Sequence, residues 1–216
     1  MKVLKNRIFT GLQLIGVFFL LSSSGRPESL RQEPSDASVV FFLQEYRKDF
    51  HPHLEFRDLI FVSIRFQKLY YMKNTQVMAK YDVSTSRYGV GCKANSQKTP
   101  VGLHKVRHKI GNGTPINGII KYGTYAGENA RIVQTPEHIA QDLITTRVLW
   151  LQGLEPGINQ GSNIDSYHRS IYIHGTAEEG LIGRPASHGC VRMRNKDVLH
   201  LFNQVPNDAY VLILDH

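Results

Sequence analysis

A short stretch near the C-terminus, Ser187-His188-Gly189-Cys190-Val191-Arg192-Met193, brings a thiol, an imidazole and a guanidinium within six residues. His174-Gly175-Thr176 lies just upstream, behind the apolar run Ile171-Tyr172-Ile173. A thiol is nucleophilic as its thiolate, with an ordinary pKa of about 8.5. A neighbouring imidazole can take its proton and later return it to a leaving amine. Two histidines qualify. His188 stands two residues before Cys190, so in an extended segment both point the same way. His174 is expected at the end of a strand. It is the preferred base, because a base must reach the sulfur from the side and an adjacent strand allows that. His188 is then expected to support substrate or turn geometry.

Gly189 would let a carbonyl substrate approach the backbone, and the N–H groups around Gly189 and Cys190 suit a developing oxyanion. Arg192 has the planar fork for a substrate carboxylate; its bland alternative is a surface salt bridge. The bland reading of the whole set is a buried cysteine in a turn beside a core histidine. A third reading makes His174, His188 and Cys190 zinc ligands. It is disfavoured because no close ligand pair and no nearby glutamate base accompany them. Glu178 and Glu179 are read as solvent-facing loop residues. No metal and no cofactor are expected.

The elements that must hold these groups are mostly strands. Ser35 or Asp36 can cap a short helix running to about Phe50, ended by Pro52. From Leu59 to Gln67 apolar residues alternate as in a half-buried strand. Leu69–Met72 and Val77–Val83 read as further strands joined by a Lys73-Asn74 turn. Glycine-punctuated short strands follow; Gly89-Val90-Gly91 lacks the third glycine and the helix of a phosphate-binding loop. Thr145–Leu151 is another strand, and Ser170–Ile173 delivers His174. Asn195 is the expected N-cap of an amphipathic helix carrying Val198, Leu201, Phe202 and Val205 on one stripe. Tyr210–Leu214 closes the chain as an apolar strand. The fold class is therefore mainly β with two modest helices.

The chain has 216 residues, 41% of them hydrophobic, enough for one domain with a substantial core. Lys2, Lys5 and Arg7 precede an apolar run from Ile8 to Leu21 and then Ser22-Ser23-Ser24-Gly25. That is the layout of a secretory signal peptide over residues 1–24, with an uncleaved membrane anchor as the alternative. Residues 25–57 read as a linker with the short helix, and 58–215 as the catalytic domain. Removing three leader cations from 26 Lys+Arg leaves 23 against 18 Asp+Glu, a mildly basic +5. No Lys/Arg cluster with interleaved aromatics is present, so nucleic acid is not an expected partner. The two cysteines, Cys92 and Cys190, would ordinarily suggest a disulfide in an exported chain. A nucleophilic Cys190 must instead be free, with Cys92 a spare thiol; a regulatory disulfide between the two is the alternative.

Ile173-His174-Gly175-Thr176 followed by Ile182-Gly183-Arg184-Pro185-Ala186-Ser187-His188-Gly189-Cys190-Val191-Arg192-Met193 resembles the signature of the L,D-transpeptidase catalytic domain, the YkuD family. Val83-Ser84-Thr85-Ser86 and Lys98-Thr99-Pro100-Val101-Gly102 are similar to further family segments, and the likeness runs from about Leu59 to Leu214. The loop between His174 and Ser187 is on the short side for the family, which leaves the shape of an active-site lid open. The resemblance implies a β-sandwich or barrel-like domain with the cysteine in a loop at one end. It implies action on peptidoglycan stem peptides in the periplasm. Cys190 would attack the carbonyl before the terminal D-alanine of a tetrapeptide and form a thioester. His174 would act as base, oriented by the carbonyl of Gly175 or the hydroxyl of Thr176. Ser187, Arg192, Gly175 and Thr176 are then substrate-binding candidates beside the catalytic set Cys190, His174, His188 and Gly189. Carbapenems would acylate the same cysteine. The acceptor stays open: a stem-peptide amine for 3-3 crosslinks, an outer-membrane lipoprotein, a D-amino acid, or water, which would make the protein a carboxypeptidase or hydrolase.

Overall fold

The computed structural model describes residues 32–216, and residues 34–216 form one compact unit. The leader reading of residues 1–24 lies outside the described residues. Helix α1 spans Asp36–Phe50, with the Ser35 hydroxyl accepting the Ser38 N–H as its cap. Asp36 in the first turn and Arg47 and Lys48 in the last complement the helix dipole. The helix stops at His51, before Pro52, as its sequence requires.

Ten strands follow: β1 Asp58–Ser63, β2 Lys68–Lys73, β3 Gln76–Ser84, β4 Gly102–Ile110, β5 Gly118–Lys121, β6 Thr124–Asn129, β7 Ile144–Gly153, β8 Tyr172–Thr176, β9 Val191–Met193 and β10 Tyr210–Leu214. Helix α2, Asn195–Gln204, connects β9 to β10. The sheet order is β4-β10-β1-β2-β3-β9-β8-β7-β5-β6, and β4 also pairs with β7. That extra pairing closes every strand except the β5–β6 hairpin into a ring, which is the barrel-like, mainly β architecture expected. No helix among the described residues is long and apolar enough to cross a membrane.

The ring explains where local pattern misleads. Strand β1 ends at Ser63, and Ile64–Gln67 is a turn in which Gln67 takes φ 51° and bonds back to the Ile64 carbonyl. Nor is β1 half-buried. Ile60 and Val62 join the core shared with α2, while Leu59 and Phe61 pack with Val39 and Leu43 of α1. A helix laid on the outer face buries what alternation would leave wet. The β2–β3 turn falls on Asn74-Thr75, both at positive φ, one residue later than expected.

Candidate active site

Two strands carry the chemistry. Strands β8 and β9 run parallel with Ile173 opposite Val191 and His174 opposite Arg192. Side chains alternate along a strand, so Ile173, Val191 and Met193 enter the core, each fully buried. Tyr172 and His174 on β8, Arg192 on β9 and Cys190 immediately before β9 share the other face. His174 thus sits inside β8, which begins at Tyr172 and continues through Thr176, and not at a strand end. The Tyr172 N–H points at the Cys190 sulfur at 3.4 Å, and the thiol lies 3.4 Å from the Ser170 carbonyl.

His174 is 2% exposed, and its Nδ1 lies 2.7 Å from the Gly175 carbonyl. A carbonyl only accepts, so Nδ1 carries the proton and Nε2 keeps its lone pair, the tautomer a general base needs. Between the two candidate orienters, the structure selects Gly175. Thr176 is buried, and its hydroxyl accepts the Glu178 N–H, which takes it off the list of substrate-binding residues. Gly175 is buried too: a Cβ there would stand 2.7 Å from the Asn195 Oδ1 and from the Thr145 carbonyl. Its task is orientation and close packing, not substrate contact. Burial lowers the His174 pKa, against the pull of Asp142 and the Gly175 carbonyl. Burial pushes the Cys190 thiol up to about 12, opposed in part by the Tyr172 N–H. Both shifts favour the neutral forms, thiol and imidazole.

Ser187 is fully buried, donating to the Cys190 carbonyl at 2.6 Å and accepting the Gly189 N–H at 3.2 Å. It staples the turn that presents the thiol, which corrects its reading as a substrate contact. The Gly189 N–H is accordingly engaged with Ser187. Gly189 holds φ 128°, which only glycine adopts readily, and the Lys98 carbonyl lies 3.4 Å from where its Cβ would be. The Gln97 and Lys98 carbonyls thereby line the back of the turn.

Arg192 is neither a surface salt bridge nor an open carboxylate receptor. It is 1% exposed, with Nη1 2.5 Å from the Glu178 carboxylate. Its Nη2 lies 2.6 Å from Asp142, as a charge–charge contact and not a well-aligned hydrogen bond. Glu178 is 3% exposed and also accepts the Ile139 N–H, so the solvent-facing reading of this residue fails. Glu179 faces inward far enough to accept both the backbone and side-chain N–H groups of Asn195. Asn195 is not the cap of α2; Arg194 takes that place. Its buried amide instead ties together Thr145, Thr146, Thr176 and Glu179 behind β8.

Both ring nitrogens of His188 are engaged. Its Nδ1 lies 2.8 Å from Asp142 and its Nε2 2.6 Å from an Arg87 N–H. Arginine only donates, so Nε2 accepts and Nδ1–H donates to Asp142. His188 supports the turn as a link in a chain Arg87–His188–Asp142–Arg192–Glu178. Asp142, whose pKa is lowered chiefly by Arg192 against the effect of its burial, was illegible in sequence, because it sits in an irregular stretch with no motif. Tyr172 was legible in principle, two residues before His174 and so on its face. Arg169 donates to the Lys98 carbonyl at 2.6 Å. Both cysteines are free and half-buried. Among the described residues no three His, Cys, Asp or Glu side chains gather closely enough to hold a metal ion; the three residues of the zinc reading do not converge.

A thiol and an oriented imidazole thus lie on one face of the sheet. The family model described as the L,D-transpeptidase catalytic domain (YkuD) matches residues 57–213, and the chain belongs to that family. A Bacillus subtilis (strain 168) protein named as the L,D-transpeptidase YkuD is 51% identical over 60 residues, covering 26% of this chain and 37% of that protein. Escherichia coli (strain K12) YbiS, also named as an L,D-transpeptidase, is 49% identical over 47 residues, 22% of this chain and 15% of its own length. The chain thus spans well under half of the curated relatives it matches. An L,D-transpeptidase structure from Mycobacterium smegmatis shares 12% identity over 73% of this chain and 58% of its own, with a TM-score of 0.46. The structure of LdtMt1 in complex with imipenem shares 14% identity over 73% and 59%, with a TM-score of 0.45.

Proposed function

We propose that this chain is an exported peptidoglycan L,D-transpeptidase that works through a Cys190 thioester. The observation carrying this reading is the fixed tautomer of His174: Nδ1–H held by the Gly175 carbonyl, Nε2 left basic on the face it shares with Cys190. His174 takes the thiol proton as sulfur attacks the carbonyl before the terminal D-alanine of a tetrapeptide stem. The C–S bond forms, the C–N bond breaks, and His174 returns the proton to the departing amine. An accepting amine then gives a proton to His174 as it attacks the thioester, and the thiolate recovers that proton on leaving.

The neutral resting pair fits this sequence, because a preformed buried thiolate would have to be stabilised before any substrate arrived. Proton transfer then accompanies attack. The leader-like first 24 residues support export to the periplasm, where stem peptides lie. The same sulfur would be acylated by carbapenems, which present an activated carbonyl to it.

The test is incubation of the purified protein with tetrapeptide muropeptides, followed by mass spectrometry. An adduct on Cys190 and amine-linked products are expected. Cys190→Ala should abolish both, and His174→Ala should slow them by a factor on the order of 10²–10⁴. Adduct formation with hydrolysis products alone, at every amine concentration, would make water the acceptor. No adduct on a reduced, free Cys190 would reject the proposal.

A further inference from the structure

Away from the catalytic pair, a cleft of about 540 Å³ opens between the second half of β4 and the C-terminal end of α2. Arg107, His108 and Lys109 of β4 line it, with Asn112 from the turn that follows; Asn203 of α2 and Asn207 of the next loop line it from the other side. The register of β4 against β7 shifts between Val106 and His108, so Arg107 is the extra residue of a bulge and stands outside the ladder. Lys109 closes the floor. Its Nζ is 2.6 Å from each of the Phe202 and Val205 carbonyls and 4.4 Å from the centre of the Phe202 ring. The side chains of Arg107 and the three asparagines make no hydrogen bond or ion pair among the described residues.

The composition of the cleft decides its ligand class. One guanidinium and three carboxamides are unengaged, and among the described residues no carboxylate lines the space. A carboxamide both donates and accepts, which suits hydroxyl and acetamido groups that do the same. An apolar ligand would strip water from four polar side chains and give nothing back. An anion is disfavoured because Lys109 is already held by α2 carbonyls, and a helix C-terminus is the negative end of its dipole. An aromatic strip adjoins the cleft. The His108 ring lies 5.7 Å from Trp150 and 5.9 Å from Tyr167, and the Trp150 and Tyr167 rings stack at 4.4 Å. Such rings offer apolar surface to the C–H side of a pyranose. We infer that the cleft binds a glycan strand of N-acetylated amino sugars and holds the protein on that polymer, apart from the catalytic pair.

The spacing lets one polymer reach both places. Strands β9, β8, β7 and β4 are successive neighbours, with Tyr172 opposite Trp150 and Trp150 opposite His108. The Tyr172 N–H points at the Cys190 sulfur. Three gaps of about 4.8 Å therefore put His108 roughly 14 Å across the sheet from the nucleophile. In the transpeptidase reading, three stem residues separate the sugar from the attacked carbonyl. Extended, they span about 10 Å, and the linkage to the sugar supplies the rest. A stem crossing Tyr172 and Trp150 leaves its sugar at the cleft. This agreement of lengths rests on the transpeptidase reading; sugar binding at the cleft does not.

Two measurements test it. First, the ¹⁵N-labelled protein is titrated with the N-acetylglucosamine tetramer, with the glucose tetramer and with inorganic phosphate, and side-chain amide resonances are followed by NMR. Saturable shifts of the Asn203 and Asn207 amides are expected with the acetylated sugar, weaker ones with glucose, and none with phosphate. Asn203 and Asn207 are exposed, so Asn203→Ala with Asn207→Ala leaves the core intact; it should weaken sugar binding roughly tenfold or more. No saturable shift, equal affinity in the double variant, or tighter binding of phosphate than of sugar would overturn the inference. Second, kcat/KM is compared for a disaccharide-linked tetrapeptide donor and the free tetrapeptide. The preference for the linked donor should fall several-fold in the double variant. An unchanged preference would overturn the claim that cleft and nucleophile share one polymer. No turnover of either donor would strike the transpeptidase reading instead, and the sugar titration would still decide the cleft.

Discussion

Glu178→Gln tests the buried charge system that fixes the strand behind the nucleophile. Arg192 is 1% exposed and stands between Glu178 at 2.5 Å and Asp142 at 2.6 Å. Removing one member of a buried ion pair generally costs about 3–5 kcal/mol, because the partner charge stays desolvated and uncompensated. Here Asp142 remains, with its side chain 31% exposed, and the glutamine carbonyl can still accept the Ile139 N–H. The cost should therefore fall to about 2–3 kcal/mol. For a chain of this length that lowers Tm by roughly 4–12 °C. Urea denaturation should show an earlier midpoint with an unchanged slope. Glu178→Leu combined with Arg192→Met removes the charge and its counter-charge together, and should recover part of the loss. A loss for Glu178→Gln below about 1 kcal/mol, or a double variant no more stable than the single one, would refute the claim that an uncompensated Arg192 is the cause.

Further outcomes follow from other contacts. Asn195→Ala leaves the buried Thr145 and Thr146 hydroxyls and the Thr176 carbonyl without their partner, and should cost about 3 kcal/mol in the same urea assay; a loss under about 1 kcal/mol would show that these groups find other partners. Gly175→Ala drives a Cβ to 2.7 Å from Asn195 Oδ1 and shifts the carbonyl that orients His174, so acylation should slow together with a fall in stability; full activity would count against that carbonyl as the orienter. In the free enzyme, Cys190 alkylation by iodoacetamide should keep rising to about pH 10, since burial holds the thiol neutral; a plateau below about pH 8 would indicate a preformed thiolate. Burial lowers the His104 pKa from 6.5 to about 4, so the unfolded chain binds the proton first. The stability His104 contributes is complete above pH 6.5 and lost as pH falls toward 4, roughly 3 kcal/mol in all, and it should vanish from the pH profile of His104→Gln.

The sequence by itself determined the candidate reactive parts. Cys190 and His174 are identifiable because a thiol, a glycine turn and an imidazole at the edge of an apolar run have few joint uses. Helix α1 is legible because Ser35 and Pro52 bracket it chemically, and most strands because their apolar residues are local. What only the tertiary structure decided is the use of each polar neighbour. Ser187, Thr176, Arg192 and Glu178 carry the same side chains whether they meet a substrate or one another. Their roles depend on burial, and burial depends on strands far apart in the chain. Asn195 has the type of a helix cap, yet ring closure brings Thr145, Thr146 and Glu179 around its amide and gives it a different task. The pairing of Trp150 with Tyr172 and of Val148 with His174 exists only in the register of β7 and β8. Local residue chemistry names the thiol and its base; the pairing of distant strands sets what surrounds them, because contacts between remote segments leave no periodicity in the sequence.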